Sequence, residues 1–333
     1  MADREVRLGI VGAGSMGQAH VRGLSAVPNA RIVAVCDWNA EQARSVGEPL
    51  GASLYTDGGR IIAEADIEAL VICVPPHTHE DLEIRAAKRG LHLFVEKPVN
   101  LHMDQALRVR DAIAKAGVMS QVGYQLRYWP CIRQLKEFLA DKQVGSANVC
   151  RWGGAPGKAW WRRYDQGGGQ LVEMTTHQVD LLRWVMGDVE TVSASYSFDR
   201  LFKGDAGTTV PDSQSVLLCF TSGASATIST SCALGKAGMG TLDFVLRDAR
   251  VSLKGETITI EPDGVYELPS IQTETCTADE AFVQAVATGD RSHLLCPYED
   301  GLKTAAITLA ANRSAEEGGR LVRIEEILAN AEI

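Results

Sequence analysis

The 333-residue chain has no CxxC pair, and its eight cysteines are scattered singly along it. That pattern excludes a cysteine-based zinc site and a disulfide framework, and no resident metal is expected. It suits a reducing compartment, so a cytoplasmic location is expected. No apolar run approaches the roughly 20 residues that a bilayer-spanning helix needs. The opening residues, Met1-Ala2-Asp3-Arg4-Glu5, carry charge where a secretory leader would need an apolar core. Basic tracts are missing too. With a formal net charge of −9 and no aromatic-interleaved Lys/Arg stripe, nucleic acid and anionic membranes are not expected partners. Internal repeats and low-complexity tracts are absent, which excludes a solenoid. What remains is an ordinary globular balance, 45% hydrophobic and 23% charged, with length enough for two packed cores.

The chain is organised around Val6 to Gly17. A short Val/Leu/Ile run passes into Gly12-Ala13-Gly14-Ser15-Met16-Gly17, and a helical pattern through Ala19, Val21 and Leu24 follows. The spacing predicts a buried strand, a tight turn and a helix whose free N–H groups face outward. Gly12 permits the turn, Gly14 lets backbone approach a pyrophosphate, and Gly17 lets helix and strand pack closely. Ser15 and Met16 lie at the helix N-terminus, where a dinucleotide's negative charge is favoured. The next strand, Arg31 to Cys36, ends in Asp37, about 20 residues past the last glycine, where a ribose-binding acid belongs. Its carboxylate would accept both ribose hydroxyls and repel a 2′-phosphate. NAD is therefore expected over NADP, with Arg44 keeping NADP open.

Strand and helix then alternate. Strands are predicted at Ala69–Val74, Leu91–Val95 and Val118–Val122, with helices at 39–50, 80–89 and 103–116 between them. This argues for a parallel, doubly wound sheet, and such sheets gather ligands beyond the carboxyl ends of their strands. Asp37, Val74, Pro75 to His79, Glu96, Lys97 and Tyr124 all fall there. Lys97 sits beside Glu96 and ahead of Pro98, which fixes the backbone, so it reads as a poised ammonium.

Gly12 through His20, the Pro75-Pro76-His77-Thr78-His79 turn and the Glu96-Lys97-Pro98 triplet together resemble the Gfo/Idh/MocA family, relatives of glucose–fructose oxidoreductase and inositol dehydrogenase. The Glu-Lys-Pro triplet is the specific signal, because the glycines are shared by many dehydrogenases. The resemblance implies a lysine beside the nicotinamide and the substrate hydroxyl, followed by a Lys–Pro bond that is often cis. It implies a cofactor contact near His79 as well, although that ring could equally cap a helix.

Beyond Gly123 a helix is expected over 130–140, then a strand over 147–152, then a loop dense in aromatics and cations, Lys158 to Gly169. Trp160 and Trp161 beside Arg162 suit a sugar or nicotinamide platform, or else an aromatic corner of the core. By resemblance, Trp161-Arg162 would touch the cofactor. Helix 170–186 carries Glu173, His177, Asp180 and Trp184 at spacings that share one face of an α-helix. A histidine between two carboxylates is held in one tautomer and made more basic, as a general base requires. The family's catalytic helix is similar, but it commonly has Asp where this chain has Glu173. Glu173 therefore reads as either catalytic or orienting.

From Val189 the chain turns to alternating strands, predicting a large, mostly antiparallel open sheet with helices on one face. Two domains are expected. Residues 1–123 would form a dinucleotide-binding Rossmann domain, and 124–333 an α+β domain for substrate and assembly. By resemblance the open sheet face makes a homodimer or homotetramer, and Tyr298 lines the pocket, though packing suits it equally.

The implied activity is NAD(P)-dependent oxidoreduction of a secondary alcohol on a sugar, cyclitol or related polyol. Lys97, His177 and Glu173 would be catalytic, and Tyr124, Arg127, Trp160 and Tyr298 would add substrate contacts. A glycosidase or lyase using transient oxidation by tightly held NAD would need the same apparatus. A non-catalytic NAD-responsive regulator would predict loss of Lys97 or His177, and both are present.

Overall fold

The computed structural model describes residues 4–205, 207–235, 238–261 and 276–329. Among them two compact units are present, described in turn. The first comprises Met1–Asn100, Gln105–Tyr128 and Cys276–Leu302. The second comprises Leu101–Asp104, Trp129–Thr275 and Lys303–Ile333.

The first unit begins with β1 (Val6–Val11), α1 (Ser15–Ser25), β2 (Ala30–Cys36) and α2 (Ala40–Gly47). Then come β3 (Ser53–Tyr55), α3 (Gly58–Glu64), β4 (Ala69–Ile72) and α4 (Leu82–Lys88). β5 (His92–Val95), α5 (Met103–Ala116) and β6 (Ser120–Val122) follow. The six strands form one sheet in the order β3-β2-β1-β4-β5-β6, and every neighbouring pair is parallel. The centre of the sheet is apolar on both faces, with Leu8, Ile10, Leu70, Val71, Leu93 and Val95 fully buried. That is what crossover helices on either side of a parallel sheet demand. The strand order reverses between β1 and β4, so the crevice beyond their carboxyl ends is the expected dinucleotide position.

The second unit contains α6 (Pro130–Leu139), β7 (Ser146–Trp152), the single turn α7 (Tyr164–Gly167) and α8 (Thr176–Met186). Strands β8 (Val189–Ser197), β9 (Ser213–Phe220), β10 (Ser225–Ser231), β11 (Met239–Val245), β12 (Arg250–Lys254) and β13 (Thr257–Glu261) follow. α9 (Ala278–Thr288) returns to the first unit, and α10 (Tyr298–Glu316), β14 (Val322–Arg323) and α11 (Ile324–Ala329) follow it. The eight-stranded sheet runs β13-β12-β11-β7-β10-β9-β8-β14. Each neighbouring pair is antiparallel except β7 with β10. Its inner face is lined by Val149, Val216, Leu218, Ile228, Leu242 and Phe244, while Asn148, Leu217, Thr227 and Val245 point outward and are exposed.

The units do not divide at residues 123 and 124 as the sequence suggested. Helix α9 belongs to the first unit because its apolar residues Ala281, Phe282, Val283, Ala285 and Val286 join the core built from Val6, Leu8, Ile10 and Phe94. Burying so many large side chains outweighs the long return of the chain, since loop closure costs only slowly more with length.

Candidate functional site

The glycine loop after β1 has the geometry its spacing implied. Gly12 has φ +92°, and a Cβ there would stand 2.7 Å from the carbonyl carbon of Cys73. A Cβ on Gly17 would stand 1.9 Å from the carbonyl oxygen of Gly12. Gly14 differs: nothing lies within 4 Å of where its Cβ would be. It is also the N-cap of α1, with no side-chain cap and no acidic residue in the first turn. The N-terminal N–H groups of α1, next to exposed Ser15 and Met16, are thus left to an anionic ligand. An open space beside a glycine at an uncapped helix start fits a pyrophosphate.

Asp37, just after β2, is held by two backbone donors. Its Oδ2 accepts the Ala13 N–H at 2.8 Å and its Oδ1 the Asn39 N–H at 2.9 Å. Gln42 Nε2 donates to the Ala13 carbonyl at 2.8 Å, so the acid and the loop share one frame. After β4, half-buried Val74 and Pro75 lead into a turn in which the Thr78 hydroxyl donates to the Pro75 carbonyl at 2.8 Å. His79 is 2% exposed and hydrogen-bonded to the equally buried Glu83.

Beyond β5 stand buried Glu96 and half-buried Lys97, and the Lys97–Pro98 bond is cis. The Lys97 backbone N–H donates to Glu96 Oε2 at 3.2 Å. Tyr124 is fully buried. Arg127 is buried as well, donating to the Leu295 carbonyl at 2.7 Å and pairing with Asp300. Tyr298 is buried at the start of α10, its N–H donating to Ser120 Oγ at 3.1 Å. Burial, then the charge of Glu83, pushes its phenol well above the ordinary tyrosine range.

In the second unit, Trp161 packs with Val210 and Cys232, and Trp160 lies against the same cluster. The indole N–H of Trp161 donates to Glu173 Oε2 at 3.1 Å. Arg162 donates to Asp205 at 2.8 Å and to Thr208 Oγ1 at 3.1 Å. Glu173 does not sit on a regular α-helix: Leu171–Thr175 is a π-type turn, and α8 begins only at Thr176. The spacing of His177, Asp180 and Trp184 holds for an α-helix, while Glu173 is rotated away from the line that spacing implied. Tertiary contacts explain the wider turn. Gly168 and Gly169 take φ +72° and +88°, Gln214 Oε1 captures the Leu171 N–H at 2.9 Å, and Asn312 Nδ2 donates to the Gly168 carbonyl at 3.2 Å. Such turns recur at functional sites.

His177 is half-buried. Asp180 is 1% exposed and its Oδ1 accepts the Thr304 hydroxyl at 2.9 Å, while Arg183 Nε donates to Thr304 at 3.1 Å. Sequence reasoning missed two charged groups, one in each unit. Arg151 on β7 is drawn into Glu173's field: burial lowers its pKa and Glu173 opposes the change. His20, part of the glycine motif, lies between Glu96 and Asp279. Neither partner of His20 could be found from spacing, because they come from remote positions.

With that geometry in place, comparison with known proteins decides the family. A family profile described as an oxidoreductase family with an NAD-binding Rossmann fold matches residues 6–124, and the GFO/IDH/MocA C-terminal domain matches 132–261. The chain belongs to the Gfo/Idh/MocA oxidoreductase family. It is 30% identical to an inositol 2-dehydrogenase of Rhizobium meliloti (strain 1021), over 94% of this chain and 97% of that protein. It is 28% identical to a myo-inositol 2-dehydrogenase of Thermotoga maritima, over 97% and 100% respectively. The WlbA dehydrogenase of Bordetella pertussis, crystallised with NADH and UDP-GlcNAcA, shares the fold at TM-score 0.84, with 22% identity over 96% of this chain and 99% of that one. The cofactor of this Gfo/Idh/MocA oxidoreductase is NAD, and its loop, uncapped helix and acid are the residues suited to hold it. Among the described residues no helix is long and apolar enough to cross a membrane, and no cluster of metal-ligating side chains is present.

Proposed function

We propose that this chain is a polyol dehydrogenase that oxidises a secondary alcohol of a cyclitol or related sugar. The observation that carries the reading is Lys97, at the carboxyl end of β5 in the sheet whose first crossover holds the dinucleotide loop. Full-length likeness to two inositol 2-dehydrogenases supports the substrate class.

Bound NAD supplies the hydride acceptor. Gly14, Ser15, Met16 and Gly17 present backbone to its pyrophosphate, and Asp37 accepts from its adenosine ribose, which favours NAD over NADP. Val74, Pro75, His79, Glu96 and Lys97 would hold the nicotinamide end, and by the family resemblance Trp161 and Arg162 would touch the cofactor as well. His177 takes the hydroxyl proton as general base. Lys97 donates to the same oxygen and stabilises the negative charge that grows there. Glu173 orients the base or binds a neighbouring hydroxyl. Tyr124, Arg127, Trp160 and Tyr298 shape the substrate pocket, directly or by packing.

A homodimer or homotetramer through the outward sheet face is part of this proposal. Support comes from Trp152, Leu217, Met239 and Val245, all exposed on strands of that sheet. A single-chain mass by light scattering would contradict it.

The test is a screen of inositols, sugars and glycosides with NAD and NADP, following reduced nicotinamide by absorbance. The proposal expects turnover of at least one cyclitol or sugar with NAD. Consumption of a glycoside without net reduced cofactor would instead favour transient oxidation.

A further inference from the structure

One buried charge cluster in the first unit joins Glu96 to two groups, His20 and Asp279, that have no part in the chemistry above. His20, Glu96 and Asp279 come from α1, the residue after β5 and the first turn of α9. The His20 ring is 7% exposed. Its Nδ1 is hydrogen-bonded to Asp279 Oδ1 at 2.6 Å and its Nε2 to Glu96 Oε1 at 3.1 Å, and an ionised carboxylate can only accept. Phe94 meets the ring edge-on with centroids 4.7 Å apart, and Phe282 of α9 backs Phe94 at 5.6 Å.

Two glycines make room for the acids. A Cβ at Gly123 would stand 2.3 Å from Glu96 Oε1, and one at Gly23 would stand 2.3 Å from Asp279 Oδ2. A neutral imidazole has one N–H, so donating to both carboxylates requires the doubly protonated ring. Burial alone pushes the His20 pKa down, but the hydrogen bonds and charges of Asp279 and Glu96 reverse this and raise it to about 10. The other ionisable group here, the Cys73 thiol, is driven well above its ordinary range by burial and by the charges of Glu96 and Asp279. The cluster therefore holds one cation and two anions, and Cys73 remains neutral.

Glu96 faces two ways. While Oε1 accepts from His20, Oε2 accepts the backbone N–H of Lys97. We infer that His20 is a positioning residue for Lys97: its imidazolium fixes the Glu96 carboxylate, which holds the Lys97 peptide, and cancels part of the negative charge behind the ammonium. α9 acts as the anchor, because Asp279 holds the far side of the ring while Phe282 seats the helix in the core. The inference rests on the catalytic reading of Lys97 only for its effect on turnover, not for its effect on the lysine itself.

Both effects are measurable apart. Trace acetylation with acetic anhydride, read by mass spectrometry, ranks the reactivity of Lys97 against the other lysines without any substrate. In His20→Gln the uncompensated Glu96 charge keeps the ammonium protonated, so relative acetylation of Lys97 at about pH 8 should slow by about threefold or more. With an inositol found in the screen, kcat should fall about tenfold while KM stays within about twofold. In a Glu96→Gln background the same His20 replacement should no longer affect acetylation, because the two residues act as one unit.

Unchanged acetylation in folded His20→Gln overturns the inference. Equal slowing in both backgrounds also overturns it, since a purely structural role would act through neither charge. If His20→Gln does not fold, Asp279→Asn removes one acid and leaves the ring in place. With the imidazolium kept and one anion lost, Lys97 should acetylate faster, opposite to His20→Gln, and slowing or no change would be decisive against the inference. Full turnover by Lys97→Ala would contradict the catalytic reading alone and leave the acetylation result standing.

Discussion

Two glycine runs in this molecule each open a helix, and they do opposite things. At Gly12–Gly17 the turn is packed closely at Gly12 and Gly17 but open at Gly14, which has nothing near its missing side chain, and α1 starts without a cap. At Gly167–Gly169 the glycines permit close packing. A Cβ on Gly168 would stand 2.9 Å from Val172 Cγ1, the first free N–H is taken by Gln214, and the carbonyl of Gly168 is taken by Asn312. The first run leaves backbone donors for a ligand, and the second spends them on protein. In the proposed function the first is the cofactor cradle and the second the mount for Glu173 and His177.

The sharpest break of that comparison is Lys97→Ala, on the cradle side. With Lys97 acting only on the reacting oxygen, kcat should fall about a thousandfold or more while NAD affinity stays within several-fold, measured by turnover and calorimetry. Unchanged turnover removes the lysine from the chemistry. On the mounted side, His177→Ala should lower kcat by about a hundredfold or more and abolish the acid limb of the pH–rate profile. If rate and profile both survive, the base lies elsewhere.

A third expectation concerns stability. His20 is raised from 6.5 to about 10 in the folded protein, so its contribution is complete below pH 6.5 and is lost as pH rises through about 10. Chemical denaturation should show stability falling by on the order of 3 kcal/mol between about pH 7 and pH 10, a slope that His20→Gln flattens. An equal slope in both proteins would put the titration on another group. The smallest effect is at Asp37. Because its carboxylate is already seated by Ala13 and Asn39, Asp37→Ala should weaken NAD about tenfold and NADP less. Equal weakening of both would contradict its ribose role.

The cradle was legible in the sequence because each glycine there answers a local backbone demand, and Asp37 follows at a fixed distance set by one strand and one helix. The parallel, doubly wound character of the first sheet and most strand and helix positions were legible for the same reason. The mount was only partly so. Periodicity placed His177, Asp180 and Trp184 on α8 but not the π-type turn under Glu173, since that turn is imposed by Gln214 and Asn312 from distant strands and helices. The same limit hid the place of α9 and the Asp279–His20 pair. Their contacts span more than 250 residues of chain, and no spacing rule reaches so far.

The central claim is that hydride leaves a polyol carbon for NAD with Lys97 at the oxygen. Incubating the protein with NAD and myo-inositol bearing deuterium at its ring carbons, then weighing the cofactor by mass spectrometry, tests it directly. The account predicts reduced nicotinamide carrying one deuterium with wild-type protein and almost none with Lys97→Ala. Inositol consumed while the cofactor stays unlabelled, or equal labelling by both proteins, would contradict it.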